Sequence, residues 1–410
     1  MNWSAGTISS PDKEPVVVAR PVWRSYRVAG TGSVSSTSGN QGGCGDRRCG
    51  FNARFGCARR CFLSSWSAMT RHPPRRLGRT DVTLTTLGVG GGPIGDGRVC
   101  RSDEDGVATI LAAHATGQQY FDTSPWYGLG LSEHRFGQGL RRLARDAFVL
   151  STKVGRVLSR PEHVEAVTNA KWPASLPFQH RYDYSGEGIR RSFEDSIQRL
   201  GMPQIDLLLI HDLDVLVHND RVVVDRHFRQ LVEDGGWDEL CRLRSGGFVR
   251  AVGAGLNDFS GIDPFFEQLD LDFLLVAYNY TIVRQNVLDT VLNRCADRHM
   301  GVIVATPYES GLLATDLENE EAARRWRNDP YFDRARATAR VCHAHNVPVK
   351  AAAVQFPLAH PAVATVVIGA ASADQARENA EMMETEIPEA IWSALKAEGC
   401  ICEEAPTPGA

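Results

Sequence analysis

The feature that most constrains the fold is an alternation, repeated along residues 84–368, between short apolar runs and longer helical patterns. The run at 205–210 is almost unbroken in its apolar character, as expected for a strand buried on both faces. Successive strand–helix units of this kind predict an α/β fold, a single parallel (β/α)8 TIM barrel with its chemistry at the carboxyl ends of the strands. The predicted strands are 84–90, 119–121, 147–152, 205–210, 249–254, 273–277, 302–305 and 364–368.

The first 68 residues differ in composition from the rest of the 410-residue chain. They contain nine Lys or Arg against three Asp or Glu, are rich in Ser and Gly, and lack sustained periodicity. Such a composition is typical of disorder. We therefore expect a disordered basic extension, or upstream non-native sequence, over 1–68, with Met69 as the native start and the barrel domain over 69–410. An organelle transit peptide is the alternative, although no amphipathic helix is evident.

Charge and cysteine content restrict the class of partner. A net charge of −4 gives no general electrostatic argument for nucleic acid or acidic membrane surfaces. No apolar stretch approaches the roughly 18 residues of a transmembrane helix, so a soluble, cytoplasmic protein is expected. Four of the ten cysteines lie at 44, 49, 57 and 61, without the paired spacing of zinc modules, so no metal site is expected. The other six are scattered, which suits a reducing compartment.

Four side chains of different chemistry stand at the predicted ends of successive strands. Asp122 and Tyr127 lie in the run FDTSPWYG at 121–128, Lys153 follows the third strand, and His211 ends the fourth. Taken singly, each has an ordinary interpretation: a turn acid, a half-buried aromatic, a surface lysine and a core histidine. Their joint placement at one rim of a barrel instead predicts a catalytic proton-relay set.

A nucleotide-binding alternative comes from residues 90–95, whose sequence GGGPIG formally matches GxGxxG after a strand. In a dinucleotide-binding unit this loop would open a helix that faces a pyrophosphate. Pro93 within the turn, and Asp96 and Gly97 where a helix should start, favour instead a first βα loop that lines a barrel site.

The chain resembles the aldo-keto reductase superfamily in four stretches: FDTSPWYG at 121–128, STKVG at 151–155, DLLLIH at 206–211 and SGLL at 310–313. The resemblance spans about residues 75–408. Further stretches resemble the group of D-threo-aldose (L-fucose) 1-dehydrogenases and pyridoxal 4-dehydrogenase: YS at 184–185, RSFEDS at 191–196, HDLD at 211–214, VGAGLN at 252–257 and QFPLAHP at 355–361.

The resemblance implies hydride transfer to or from nicotinamide without a metal, with Tyr127 exchanging the substrate proton. Lys153 would lower the pKa of Tyr127 by about 1 to 3, Asp122 would hold the lysine, and His211 would orient the substrate oxygen or help relay the proton. Trp126 and Trp172 are expected to wall the substrate pocket, with ordinary aromatic packing as the alternative.

The resemblance also implies the cofactor contacts. Relatives that use NADP commonly carry Lys or Arg just after strand 8 and an Arg four residues before the Asn that corresponds to Asn379. At these places this chain has GAAS at 369–372 and Gln375. A 2′-phosphate would therefore lack its bidentate partner, so NAD is expected rather than NADP. The expected cofactor-binding residues are Asn257, Tyr280 (stacked on the nicotinamide, with Tyr278 as the alternative), Ser310, Gly311, Leu312, Gly369, Gln375, Glu378 and Asn379.

The expected partner is a small sugar or aldehyde. An NAD preference favours oxidation, and aldoses and pyridoxal share a cyclic hemiacetal carbon that can lose hydride to give a lactone. The alternatives are a general NADPH-dependent aldehyde or ketone reductase and a non-catalytic, cofactor-binding regulatory subunit. The sequence leaves the oligomeric state open.

Overall fold

The structure, a computed structural model, describes residues 72–163, 169 and 171–409. The predictions for residues 1–68, for the four cysteines among them and for Met69 as the native start lie outside this part of the chain. Twelve strands are present there: β1 Pro74–Arg76, β2 Thr83–Thr85, β3 Leu87–Gly90, β4 Tyr120–Asp122, β5 Val149–Val154, β6 Arg156–Ser159, β7 Gln179–Tyr182, β8 Leu207–His211, β9 Ala251–Leu256, β10 Phe273–Ala277, β11 Gly301–Ala305 and β12 Val363–Gly369.

Eight of these strands close into a parallel barrel in the order β3-β4-β5-β8-β9-β10-β11-β12. The predicted (β/α)8 barrel is therefore confirmed, and each of its strands overlaps one of the predicted runs. The third strand extends further than predicted, because β5 continues to Val154 and so contains Lys153. The predicted first strand is divided at Thr86, since β2 leaves the barrel to pair with β1.

Thirteen α-helices accompany the strands of the described part: α1 Asp103–Ala115, α2 Leu131–Leu140, α3 Gly186–Leu200, α4 Val215–His218, α5 Arg221–Glu233, α6 Gly236–Ser245, α7 Asp263–Gln268, α8 Asn293–Asp297, α9 Glu320–Ala323, α10 Phe332–Ala344, α11 Val349–Gln355, α12 Ala373–Glu384 and α13 Ala390–Ala397. Ser102 caps the start of α1, because its side chain accepts a hydrogen bond from the Asp105 amide. Helix α3 is followed by Gly201, whose left-handed φ of 65° ends the helix.

Two hydrophobic cores hold the barrel. The larger lies between strands and helices, and the smaller fills the barrel interior with side chains such as Tyr120, Leu207 and Phe273. The smaller core also contains Leu77 and Leu84 of the β1–β2 hairpin, which packs against the start of β11 at Gly301. The hairpin therefore covers the amino ends of the strands and leaves the carboxyl ends open for chemistry.

A second antiparallel hairpin, β6–β7, follows β5 and pairs Arg156 with Tyr182 and Leu158 with His180. Neither strand is among those predicted from the sequence. None of the helices in the described ranges is long and apolar enough to cross a membrane.

Candidate active site

The catalytic set is assembled at the carboxyl ends of β4, β5 and β8. Asp122 ends β4 opposite Ser151 of β5, and Lys153 lies two residues further along β5. Because side chains alternate along a strand, Ser151 and Lys153 share a face, and both reach Asp122. Ser151 Oγ donates to Asp122 Oδ1 at 2.7 Å, and Lys153 Nζ donates to Oδ2 at 2.6 Å.

The Lys153 ammonium is fully partnered in a buried position, with the side chain 1% exposed. Besides Asp122 it donates to the Thr123 carbonyl at 2.8 Å and is hydrogen-bonded to the Tyr127 side chain. Burial alone would lower the pKa of Lys153, but Asp122 and Tyr127 outweigh burial and raise the pKa above its usual value. Lys153 is therefore a permanent cation beside the phenol.

Tyr127 is held by a tight turn that follows β4. Its amide donates to the Ser124 carbonyl at 3.2 Å, and Gly128 takes a left-handed φ of 66° where a Cβ would collide with the Gly95 carbonyl. Burial raises the pKa of Tyr127 to about 12, although the Lys153 cation lowers it in part. Lys153 thus acts on the phenol in the expected direction, but desolvation is the larger effect, so the net pKa of Tyr127 is raised.

His211 lies beside Tyr127, with the ring centroids 5.9 Å apart. Its Nδ1 is 3.1 Å from both Ser124 Oγ and Arg156 Nη1, and its Nε2 is 3.4 Å from Asp212 Oδ1. Burial, together with the cations Arg156 and Lys153, lowers the pKa of His211 well below its usual value, against the opposing effect of Asp212. The imidazole is therefore neutral at physiological pH.

Arg156 is a site residue that the sequence reasoning missed. It lies at the start of β6 with its guanidinium carbon 4.9 Å from the Trp126 ring centroid and 4.8 Å from that of Tyr182. Its Nη2 is 2.8 Å from Asp212 Oδ2, and the side chain is 2% exposed. The sequence offered one signal for it, its position three residues after Lys153. That signal would have been recognised only if the predicted site had been extended beyond the end of the third strand.

These side chains line one cavity of about 960 Å³ at the open end of the barrel. Trp126 and Trp172 form part of its wall, with ring centroids 6.0 Å apart, and Tyr127 is 6.1 Å from Trp172. The cavity continues past the ends of β9 to β12, so the same space is lined by the four catalytic side chains, Asp122, Tyr127, Lys153 and His211, and by most of the expected cofactor-binding residues. The predicted residues that line it are Asp122, Trp126, Tyr127, Lys153, Trp172, His211, Asn257, Ser310, Gly311, Gly369, Gln375, Glu378 and Asn379.

Two predicted cofactor residues do not line the cavity. Tyr280 is fully buried in the larger core, 5.4 Å from Phe356 between ring centroids. Leu312 is also fully buried in that core, although the loop it belongs to borders the cavity. The burial of Tyr280 counts against a contact with a ligand in the cavity, whereas Tyr278, the alternative, lines the cavity and accepts a hydrogen bond from Ser310 Oγ at 3.2 Å.

Left-handed backbone shapes the loop after β11. Ser310 has φ 55° and Gly311 has φ 106°, so the chain turns sharply where the cavity passes it. A Cβ on Gly311 would meet little more than Trp326, at 3.7 Å, so this glycine is required by the backbone rather than by crowding. Left-handed residues at a cavity wall are typical of ligand-binding loops.

The far end of the cavity contains a cation that the sequence analysis overlooked. Lys350 of α11 lines the cavity and forms an ion pair with Glu378 of α12. Gln375 Oε1 accepts a hydrogen bond from the Ala371 amide at 2.8 Å and thereby closes the loop before α12. Arg377, two residues after Gln375, pairs with Asp374 and does not line the cavity.

Comparison with known proteins agrees with this geometry. The model of the aldo/keto reductase family matches residues 86–398. The chain is a member of the aldo/keto reductase family. As such it is an NAD(P)-dependent oxidoreductase that acts on CH–OH donors. Within the described ranges, no group of three or more His, Cys, Asp or Glu side chains is placed to hold a metal ion.

This aldo/keto reductase has relatives of known activity. It is 37% identical over 347 residues to pyridoxal 4-dehydrogenase from Microbacterium luteolum, covering 80% of this chain and 97% of that protein. It is 34% identical over 321 residues to D-threo-aldose 1-dehydrogenase from a Pseudomonas species, covering 77% and 94%. The structure of glycerol dehydrogenase from Gluconobacter oxydans superimposes with a TM-score of 0.61 at 21% identity, covering 80% and 95%, which supports the fold alone.

Proposed function

We propose that this aldo/keto reductase oxidises the cyclic hemiacetal carbon of a small substrate, an aldose such as L-fucose or pyridoxal, to a lactone, with NAD as the preferred cofactor. The observation that carries the proposal is the buried Tyr127–Lys153–Asp122 set facing His211 across one cavity. The substrate class rests on the names of the two relatives described above, at 37% and 34% identity.

The chemistry requires the substrate hydroxyl to lie between Tyr127 Oη and His211. Nicotinamide bound in the cavity would exchange hydride with the substrate carbon at its C4 position. In oxidation Tyr127 accepts the hydroxyl proton, and in reduction it donates the proton back. Lys153 stabilises the phenolate form of Tyr127, and Asp122 keeps the lysine in place.

The raised pKa of Tyr127 has a direct consequence for the direction of the reaction. With the pKa at about 12, the side chain is a phenol at neutral pH, ready to act as an acid. Oxidation needs the phenolate, so it should be favoured by alkaline pH and by any positive charge that binds near the ring. The Lys153 cation is the permanent part of that charge.

The residues suit a nicotinamide dinucleotide in shape and chemistry. The cavity of about 960 Å³ extends from the four catalytic side chains to Gly369 and Asn379. Its left-handed loop at Ser310 and Gly311 would bring backbone close to a bound dinucleotide. We place Tyr278 against the nicotinamide ring and Asn257 near its carboxamide. Asn257 Nδ2 donates to Asp212 at 2.8 Å, which fixes the orientation of its amide.

The preference for NAD is supported by the charges at the far end of the cavity. Lys350 is the cation that lines this end, and its charge is balanced by Glu378. A 2′-phosphate would have to compete with Glu378 for Lys350. At position 375 it would meet the neutral Gln375 instead of a cation that could bind it. A ribose hydroxyl meets no such conflict.

The experiment is a turnover assay in which the protein is offered L-fucose, D-arabinose, L-galactose and pyridoxal, first with NAD and then with NADP. We expect formation of NADH with at least one substrate, and a lactone product. Failure with all four, together with NADPH-driven reduction of simple aldehydes, would make the protein a general carbonyl reductase. Tight NAD binding without turnover on any substrate would favour a regulatory subunit.

The barrel is proposed to be sufficient for this activity. A chain that begins at Met69 should turn over substrate at the rate of the 410-residue protein. A cytoplasmic location is also proposed, because the six cysteines of the described ranges are free thiols, as suits a reducing compartment. Loss of activity in the shortened chain would assign a role to the basic extension.

A further inference from the structure

We infer that Arg156 is a positioning residue that locks His211 in the neutral tautomer with its proton on Nε2, so that His211 acts as a hydrogen-bond donor to the substrate oxygen and not as a base. This inference deepens the proposed function, since it assigns distinct roles to Tyr127 and His211. It rests on the geometry of three neighbouring groups: the guanidinium of Arg156, the imidazole of His211 and the carboxylate of Asp212.

The direction of the contact follows from the chemistry of a guanidinium. Arg156 Nη1 lies 3.1 Å from His211 Nδ1, and a guanidinium has five N–H donors and no acceptor. If Nδ1 carried a proton, two N–H groups would point at each other. Nδ1 must therefore present its lone pair to Arg156, and the single proton of the neutral ring is on Nε2.

Ser124 alone would leave the tautomer open. Its Oγ is 3.1 Å from the same Nδ1 and, as a hydroxyl, can either donate or accept there. Ser124 Oγ already accepts a hydrogen bond from the Trp126 amide at 3.0 Å, and as a hydroxyl oxygen it could accept a second one from a protonated Nδ1. Arg156 removes that choice, because it can only donate.

Arg156 itself has little freedom to move. Its Nη2 is bound to Asp212 Oδ2 at 2.8 Å and donates to Tyr182 Oη at 3.1 Å, while the planar group lies between the Trp126 and Tyr182 rings. Asp212 is in turn held by Asn257 Nδ2. A planar fork with several fixed donors serves all these partners at once, which a lysine ammonium could not do.

The same arrangement keeps the imidazole uncharged. The charged or titratable groups that face His211 are Arg156 and Lys153 as cations, Asp212 as the anion, and Tyr127 as a neutral phenol. Without Arg156, Asp212 would be a buried carboxylate with no cation beside it, 3.4 Å from Nε2, and protonation of His211 would supply the missing positive charge. Arg156 thus sets both the tautomer and the protonation state.

The test measures the tautomer directly by nitrogen NMR on the 410-residue protein labelled with 15N at histidine, without substrate. The His211 signals are assigned among the 12 histidines by their loss in His211→Asn. We expect a pyridine-type Nδ1 and a pyrrole-type Nε2 that do not change between about pH 6 and 8. A proton on Nδ1 in the wild-type protein would overturn the inference, whatever the enzyme's substrate.

Variants then test the role of the guanidinium. Arg156→Met should give His211 a titration midpoint within about pH 5 to 8, and Arg156→Lys should keep the ring neutral but mix the two tautomers. Arg181→Met is the matched control, since Arg181 lies in the same hairpin, pairs with Asp183 and is 57% exposed. Wild-type signals in both Arg156 variants would contradict the inference.

Turnover adds a readout that a structural role would not produce. In Arg156→Lys we expect kcat to fall on the order of 10²-fold, as for loss of an oriented donor, with KM nearly unchanged. In Arg156→Met, kcat/KM should acquire a new acidic limb at the midpoint found by NMR. Absence of turnover in the wild-type protein would count against the proposed function and leave the NMR result to decide the tautomer.

Discussion

The removal of the Lys153 charge is the most informative perturbation of the site. Lys153→Met keeps most of the side-chain volume but deletes the ammonium that Asp122 holds at 2.6 Å. Since Asp122 is 4% exposed, the variant leaves a buried carboxylate without its cation, at a cost of about 3 to 5 kcal/mol of folding free energy. Tyr127 also loses the one nearby charge that lowers its pKa.

The two effects can be separated by a second substitution. In Lys153→Met/Asp122→Asn neither partner is charged, so most of the lost stability should return, whereas the rate should not. Because a neighbouring cation is worth about 1 to 3 in pKa, we expect oxidation at pH 8 to slow by roughly 10- to 10³-fold in both variants.

The assay combines NAD reduction with urea unfolding. Lys396→Met is a control, because Lys396 is a partly exposed residue of α13 that hydrogen-bonds the Glu403 carbonyl. The reasoning is refuted if Lys153→Met is as stable and as active as the control, or if the double variant recovers its rate along with its stability.

Three further predictions concern the phenol, the tyrosine pair and the cofactor. Tyr127→Phe should lower kcat by about 10²- to 10⁴-fold, with NAD affinity unchanged in a titration. In the wild-type protein, kcat/KM for oxidation should rise from pH 7 to 9, because a pKa of about 12 means that the phenolate fraction of Tyr127 grows over this whole range. A flat pH profile would contradict the role of Tyr127 as the base. Tyr278→Ala should weaken NAD binding about 3- to 10-fold, whereas Tyr280→Ala should lower stability by about 3 kcal/mol and leave NAD affinity unchanged; the opposite pattern would restore Tyr280 as the stacked ring. Gln375→Arg should shift the ratio of kcat/KM values toward NADP, and unchanged selectivity would count against this placement of the adenosine end.

Much of the fold was predictable because it follows from local pattern. Alternating apolar runs and helical periodicity specify the eight strands, and parallel strands bring their carboxyl ends to one rim. Asp122, Lys153 and His211 are therefore brought to the same rim, since each lies at or near a strand end. The two hairpins were missed because β1 and β6 are three and four residues long and lack an apolar face that repeats.

The different surroundings of Tyr278 and Tyr280 have a specific physical cause. Tyr278 and Tyr280 are only two residues apart and both follow β10, so the sequence left both as candidates. Tyr278 has a left-handed φ of 64°, which breaks the alternation after β10 and turns the two rings to different surroundings. A positive φ at a tyrosine is rare and has no signal in the sequence.

Tertiary contacts explain what else the sequence could not supply. Lys350 and Glu378 belong to different helices, and Arg156 reaches His211 only because the β6–β7 hairpin folds back over the barrel end. The pKa of Tyr127 depends on how completely the ring is desolvated, which is a property of the assembled cavity. The motifs indicate that Lys153 lies near Tyr127, but they do not indicate how deeply the Tyr127 ring is buried.

The measurement that tests the central claim most directly follows the hydrogen itself. L-Fucose carrying deuterium at its hemiacetal carbon, or pyridoxal labelled at the corresponding carbon, is oxidised by the wild-type protein with NAD, and both products are examined by NMR. Direct hydride transfer with Tyr127 as the proton acceptor predicts one deuterium at C4 of each NADH formed and a lactone free of the label at that carbon. Loss of the deuterium to water, or a product other than a lactone, would contradict the account.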